Sequence, residues 1–460
     1  MSPKPLPGFR DFYPDQLAER SHIFATWRRV VRRYAFVEYD GPPLEPLELY
    51  TQKSGAEIVT QLYSFEDKGG RAVSLRPEMT PTFARMVAAR AQALRKPVRW
   101  FAVPQLFRYE RQQKGRLREH FQLNVDIVGE PDVLADAELL SVAIEIMRAF
   151  GLGPQDVRAR VSDRRLLNAL LSHLAIREDA WPDVYAVLDK LERQPVEVSL
   201  EKLGAAGLDD AQRSAVIEFG GLDLAALRGR YGDAPAVAPH LALFERYLEH
   251  AHALGLGEWI RVDLTIVRGL AYYTGIVFEL FDARGEFRAI CGGGRYDRLL
   301  AGLGGVDLPA LGFGMGDVVL GELLRARGHL RAATAPPAEL WLVAAEGTDA
   351  ATLLAAATQL RRAEFSVEYL LNADRLATRR SAQQLQDAGR AGAAIAVVCR
   401  PDGVAELIDL RSPRSDATER PTFLLDVLAG PDAAARRDLL TMLRGAVTRA
   451  AADTATTDHG

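Results

Sequence analysis

Between Phe121 and Ile127 the sequence alternates without a break, with Phe121, Leu123, Val125 and Ile127 on one side and Gln122, Asn124 and Asp126 on the other. Successive side chains leave a pleated backbone on opposite faces, so a period of two is a strand signature. A strand that is apolar on one face and polar on the other belongs in an antiparallel sheet, one face on a core and one open to water or ligand. A second strand-like run precedes it, across Arg111-Gln112-Gln113-Lys114-Gly115-Arg116, a basic, glycine-containing stretch that suits a hairpin connection. Arg108 and Glu110 stand two apart on that first run, so two adjoining strands can present Arg108, Glu110, Gln122 and Asp126 on one face. A solvated sheet face would read the same way, but charge argues for a ligand. Residues 85–118 carry ten Lys or Arg and one acid, Glu110, a local net of +9 in a chain whose total is −4. Such a cluster suits a polyphosphate or an RNA end, and the planar guanidinium fork matches phosphate oxygens.

The rest of the chain divides by rhythm. At 460 residues and roughly 150 residues per domain, several domains are expected. With 48% hydrophobic and 26% charged residues the composition is that of a globular protein and excludes disorder, a collagen-like repeat or a basic nucleic-acid coat. No apolar run reaches the ~18 residues that span a bilayer and no apolar signal core follows the start, so a cytoplasmic protein with no membrane partner is expected. Two distant cysteines, Cys291 and Cys399, offer neither a disulfide framework nor a zinc cluster, and eight scattered His make a bound metal unexpected. Apolar spacing over residues 132–150, with Gly151 as a stop, predicts a helix. Residues 162–256 read as a helical insert, and strand character returns at 260–267, 276–281 and 287–290 as antiparallel hairpin pieces. After the linker Thr334-Ala335-Pro336-Pro337, strand (340–344), helix (348–363), strand (366–371), helix (376–391) and strand (394–399) alternate, which predicts a small α/β domain with parallel strands. The domains are therefore placed at 1–330, with the insert inside it, and 338–430, followed by a C-terminal helix and frayed tail over 431–460.

Three further stretches carry possible chemistry. Arg268-Gly269-Leu270-Ala271-Tyr272-Tyr273-Thr274-Gly275 sets an arginine beside two tyrosines; Cys291-Gly292-Gly293-Gly294-Arg295-Tyr296-Asp297 lets the backbone approach something closely. Gly312-Phe313-Gly314-Met315-Gly316 lacks the final spacing of a dinucleotide fingerprint, and no P-loop, His-Glu-x-x-His or Gly-x-Ser-x-Gly pattern occurs.

Together these stretches resemble one family. Phe107 to Arg116 and then Phe121-Gln122 resembles motif 2 of the histidyl-tRNA synthetases, which are class II aminoacyl-tRNA synthetases; the Arg268 stretch resembles their histidine-specific motif and Gly293-Gly294-Arg295-Tyr296-Asp297 the segment after it. Leu75-Arg76-Pro77-Glu78-Met79-Thr80 resembles a histidine-contacting segment, and the likeness runs from Pro7-Gly8-Phe9-Arg10-Asp11 into the C-terminal block. The resemblance implies an α+β catalytic domain on an antiparallel sheet, a helical insert and a C-terminal α/β anticodon-binding domain. It implies that L-histidine is activated with ATP, accompanied by Mg²⁺, to histidyl-adenylate and passed to the 3′ end of histidine tRNA by a homodimer. By position, Arg108 and Arg268 would be catalytic. Arg108, Glu110 and Arg116 would bind ATP, with Arg108 on the α-phosphate. Glu78, Thr80, Gln122, Asp126, Tyr272, Tyr273 and Tyr296 would bind histidine, Gln113 and Arg116 would face the tRNA acceptor end, and Pro43 would lie at the dimer interface.

The sequence departs from the family at Met79, Ala271 and Asp126, where a glycine, an acid and a glutamate are usual. Val319 occupies the place of the motif 3 arginine that lies against adenine and reaches the γ-phosphate. Arg76, Arg116, Arg295 or Arg298 could stand in, Arg116 foremost. A histidine-sensing paralogue resembling the regulatory subunit of ATP phosphoribosyltransferase, or an RNA-binding scaffold without catalysis, is the alternative. Residues 338–430 carry ten Arg against thirteen acids, a net of −3. Any RNA affinity there rests on local groups such as Arg375, Arg379 and Arg380 on one expected helix.

Overall fold

The computed structural model describes residues 4–51, 59–110, 115, 117–267, 273–330, 338–410 and 420–457. The chain divides into two compact units, Met1–Ala332 and Ala333–Gly460.

The strands of the first unit are β1 (Val37–Glu38), β2 (Leu44–Pro46), β3 (Tyr63–Glu66), β4 (Ala72–Leu75), β5 (Val98–Ala102), β6 (Gln105–Phe107), β7 (Glu119–Val128), β8 (Val157–Asp163), β9 (Ile260–Val262), β10 (Ile276–Asp282), β11 (Cys291–Arg295) and β12 (Ala310–Gly316). Nine of them make one sheet in the order β1-β5-β7-β12-β11-β10-β8-β9, with β6 also paired to β7; β2, β4 and β3 form a small sheet. Only the edge pairs β1–β5 and β8–β9 are parallel among the described residues, so the sheet is the antiparallel one that the alternation over 121–127 requires. The apolar side of β7 explains how the sheet seats. Leu123, Val125 and Ile127 are buried in one core with the helices Pro14–Arg33 and Val133–Ala149. The second helix starts where expected, because the Asp132 carboxylate accepts the Leu134 N–H, and it stops at Gly151, whose φ of 82° few other residues adopt at low cost.

Two strand expectations fail for local reasons. The strand expected over 260–267 ends at Val262, because Asp263 folds back to accept the backbone N–H and hydroxyl of Thr265 at 3.0 and 2.6 Å. The strand expected at 287–290 is displaced onto the glycine run itself, Cys291–Arg295. Glycine disfavours strands on its own, so a strand through three of them points to crowding from neighbouring elements. The stretch 162–256 carries helices from Arg164–His173 to Ala238–Ala253 after β8 ends at Asp163.

The second unit holds β13 (Leu340–Ala344), β14 (Val367–Glu368), β15 (Ile395–Cys399), β16 (Val404–Asp409) and β17 (Thr422–Leu424) in the order β14-β13-β15-β16-β17. The first three strands are parallel, as the alternating rhythm predicts, whereas β16 and β17 add antiparallel pairs and make the sheet mixed. The helix expected at 376–391 is two helices, Ala373–Thr378 and Ser381–Arg390, with Arg379 and Arg380 extended between them. Buried Gln384 fixes that break by donating to the carbonyls of Arg379 and Ala344 at 2.8 and 3.3 Å. Arg375 and Arg379 therefore share no continuous helix face, and Arg379 pairs with Asp387 at 2.9 Å.

Candidate active site

The polar side of β7 faces away from the main core. His120, Gln122, Asn124 and Asp126 follow one another along it, and β12 lies beside them with Gly316 opposite Gln122, Gly314 opposite Asn124 and Gly312 opposite Asp126. On the next strand Gly292 and Gly294 lie opposite Gly314 and Gly312. This side of the sheet is thus paved with glycine, and the neighbours explain it. A Cβ on Gly312 would sit 2.1 Å from Asp126 Oδ1, and one on Gly314 2.0 Å from Gln122 Nε2. A Cβ on Gly294 would come within 2.9 Å of the Tyr273 ring. What the glycine-rich backbone lets approach is these side chains, which lie flat across β11 and β12.

Asp126 is 2% exposed. The Tyr296 hydroxyl donates to its Oδ1, while its buried Oδ2 has no hydrogen-bond partner among the described residues. Burial pushes this carboxyl up to about 7, against the opposing Tyr296 hydrogen bond. Tyr273 and Tyr296 stand in one apolar cluster with Phe83, Val277 and Leu300, with Tyr39 and Trp100 packed against it. The result is an apolar enclosure with one buried acid, a place for a small ring that carries an N–H.

Arg108 and Glu110 follow β6, where the Arg108 N–H donates to the Arg118 carbonyl at 2.9 Å across the hairpin. The Arg108 Nε donates to the carbonyl of Pro77 at 2.9 Å, which draws the segment carrying Glu78 and Thr80 to the same place. Glu78 is 7% exposed, and Thr80 opens the helix Thr80–Arg90. A cavity of about 150 Å³ opens beside Arg108 and is lined by Glu110, Gly115, Leu117, His120, Gly316, Val318 and Val319. His120 escapes the sequence reading. Yet it lies two residues before Gln122 in the same alternation, which is the signal that reaches it. Burial first, then the nearby Arg108 charge, pushes its imidazole down to about 3, so the ring is neutral at any physiological pH. Val319 lines the same cavity as Arg108.

Two of the arginines that could have replaced a cation at 319 are committed elsewhere. Arg76, 4% exposed, pairs with Asp40 at 2.8 Å and donates to the carbonyls of Gln105 and Gly41. Arg295, 1% exposed, pairs with Asp136 at 2.5 Å. Arg298 is exposed. Gln113, Arg116, Arg268 and Tyr272 lie outside the described residues. The chain enters the Arg268 stretch at Val267, whose carbonyl accepts from Arg164 at 2.6 Å. Pro43 is exposed, and its carbonyl accepts the Arg76 N–H at 2.9 Å.

Comparison with known proteins points the same way as the geometry. The histidyl-tRNA synthetase family matches residues 8–316. The histidine–tRNA ligase of Opitutus terrae is 45% identical over 419 residues, 87% of this chain and 91% of that protein. The chloroplastic/mitochondrial histidine–tRNA ligase of Arabidopsis thaliana is 44% identical over 330 residues, 71% of this chain and 67% of that one. A crystal structure of histidyl-tRNA synthetase from Nostoc superposes with a TM-score of 0.76 at 25% identity, covering 93% of this chain and 98% of that chain.

Proposed function

The chain belongs to the histidyl-tRNA synthetase family, and from that membership we infer that it is a histidine–tRNA ligase: it joins L-histidine to ATP as histidyl-adenylate and passes the aminoacyl group to the 3′ end of histidine tRNA. The observation that carries the reading is the pairing of two differently built compartments on one sheet face. A phosphate-suited cavity with Arg108 adjoins an apolar enclosure holding Asp126 and Tyr296. The relatives are named ligases at 40–45% identity, which favours an enzyme over a histidine sensor or a scaffold.

In this reading the histidine imidazole lies against Tyr273 and Tyr296 and donates an N–H to Asp126, with Gln122 beside it. Glu78 and Thr80 receive the α-ammonium, which places the carboxylate toward Arg108. Arg108 holds the α-phosphate while the carboxylate oxygen attacks phosphorus and pyrophosphate leaves. Charge builds on the phosphate oxygens in that step, so fixed cations there, Arg108 and Arg268, act on the transition state more than on the ground state. Glu110 contacts the nucleotide, and Gln113 and Arg116 face the tRNA end. Mg²⁺ enters with ATP. Such ions are usually held by substrate phosphates, and Glu110 is read as a contact on the adenine side. When bound, the ion neutralises phosphate charge.

The second unit is read as the anticodon-binding domain. A homodimer fits the exposed apolar Leu44 next to Pro43. The described residues hold no helix long and apolar enough to cross a membrane. Histidine-dependent exchange of labelled pyrophosphate into ATP tests the whole reading; no exchange above a histidine-free control would refute it.

Asp126 gives a second check with opposite signs in stability and binding. Its ordinary pKa is near 4 and its folded value is about 7. Its contribution to stability is fully present below about pH 4 and is lost as the pH rises through 7. Three units correspond to at most ~4 kcal/mol for this fully buried group. Asp126→Asn, uncharged throughout, should therefore be more stable than the wild type at pH 8 and gain little at pH 4. It should also bind histidine more weakly with ATP affinity unchanged, because an amide nitrogen replaces an acceptor. Denaturation at both pH values and separate calorimetric titrations of the two ligands measure this.

A further inference from the structure

Outside the two compartments, Arg295 has every donor of its guanidinium satisfied. Its Nε donates to both oxygens of Asp136 at 3.1 Å, and its Nη2 donates to Asp136 Oδ2 at 2.5 Å and to the Asp132 carbonyl at 3.2 Å. Its Nη1 donates to the Glu130 carbonyl at 2.9 Å and to Asp297 Oδ1 at 3.4 Å. A guanidinium has five N–H donors, and here each has an acceptor. The side chains of Arg295 and Asp136 are 1% and 2% exposed. Burial pushes the Asp136 carboxyl up to about 6 even beside this arginine. A buried ion pair is weak evidence for stability, since desolvation offsets its attraction; a geometric role explains it better.

That geometry leads to the histidine enclosure. Tyr296 is the next residue after Arg295. The Arg295 carbonyl accepts the Thr274 N–H at 2.8 Å, and the Thr274 hydroxyl donates to Asp297 Oδ2 at 3.0 Å. Thr274 follows Tyr273. The saturated guanidinium thus fixes the segment that carries Tyr296, and through the Arg295 carbonyl and Asp297 that segment holds the one carrying Tyr273; the guanidinium is held in turn by Asp136 of the helix Val133–Ala149.

We propose that Asp136 is a positioning residue for histidine recognition, acting through Arg295 to fix Tyr296 and Tyr273 against Asp126. The proposal rests on the ligase reading for the identity of the ligand. In Asp136→Asn the amide would present a donor to a donor, and the tie would loosen without a change of volume. A weakened hydrogen bond to a charged group costs about 10- to 100-fold in affinity, so the dissociation constant for histidine should rise by about that factor while that for ATP stays within about twofold. The KM values in pyrophosphate exchange should split in the same way. Thr274→Val, which loosens the far end of the same tie, should move histidine affinity in the same direction and less, and it carries the test if Asp136→Asn does not fold. Equal weakening of both ligands would make Asp136 merely structural and overturn the proposal, as would unchanged histidine affinity in a cooperatively folding variant. Wild type that binds histidine without exchanging pyrophosphate would refute the ligase reading alone, because calorimetry on the variants would still decide the role of Asp136.

Discussion

Arg108→Ala should lower histidine-dependent pyrophosphate exchange by about 10²- to 10³-fold, the usual consequence of removing one fixed donor from a developing anion. Among the described residues lining the proposed nucleotide cavity, Arg108 carries the only full positive charge, since His120 is held neutral and Val319 is apolar. Its Nε is spent on the Pro77 carbonyl, which sets the direction of the fork, and Glu110 Oε1 stands 3.9 Å from Nη1. The side chain is 29% exposed, so the fold should lose little, roughly the ~1 kcal/mol of one hydrogen bond. Arg108→Lys should recover only part of the rate, because an ammonium cannot make the planar two-point contact. Single-turnover adenylate formation together with a melting curve separates chemistry from folding. A near-wild-type rate in Arg108→Ala would remove Arg108 from the site.

What the sequence revealed and what it hid follow from different physics. The face shared by Gln122, Asn124 and Asp126 was readable because alternation on a strand is a geometric necessity, and the same rule reaches His120. The glycines were harder. Their low strand propensity argues for loops at 291–295 and 312–316, yet both are strands, because side chains from β7 and Tyr273 occupy the volume that a Cβ would need. Propensity is local, and that crowding comes from residues far away in sequence.

Charge was legible while burial was not. Arg76, Arg116, Arg295 and Arg298 look alike in a sequence, and each could reach a phosphate opposite Val319. Folding removes two of them: Arg76 turns to Asp40 and Arg295 to Asp136, partners 36 and 159 residues away. Behind the sheet, Asp317 accepts the Phe121 N–H at 2.9 Å and pairs with Arg10 at 3.0 Å. The start of the helix Asp317–Ala326 is therefore anchored to β7 through Asp317, while Val319 packs against the main core. An apolar residue at 319 thus serves the fold, and the proposed function assigns nucleotide affinity to Arg108 and Arg116.

The glycine pavement gives the second large effect, and it is graded. Gly312→Ala should weaken histidine binding by about 100-fold, as loss of a hydrogen bond to a charged group does, and destabilise the protein by about 1–3 kcal/mol through overpacking. The new methyl would lie 2.1 Å from Asp126 Oδ1 and 2.8 Å from the Val125 carbonyl oxygen. A side-chain oxygen can swing away, and in doing so Asp126 would leave Tyr296, but the carbonyl belongs to the strand and can move only with it. Gly314→Ala meets the far end of Gln122 at 2.0 Å, a flexible group that can turn aside, so a smaller loss of histidine affinity with near-normal stability is expected. Gly316→Ala meets nothing within 4 Å. It should fold as the wild type does and keep its histidine affinity. Calorimetric titration with histidine and thermal unfolding of the three variants should rank them 312, 314, 316. A Gly312→Ala protein that binds histidine normally would show that Asp126 does not hold the substrate where the packing of β7 against β12 puts it.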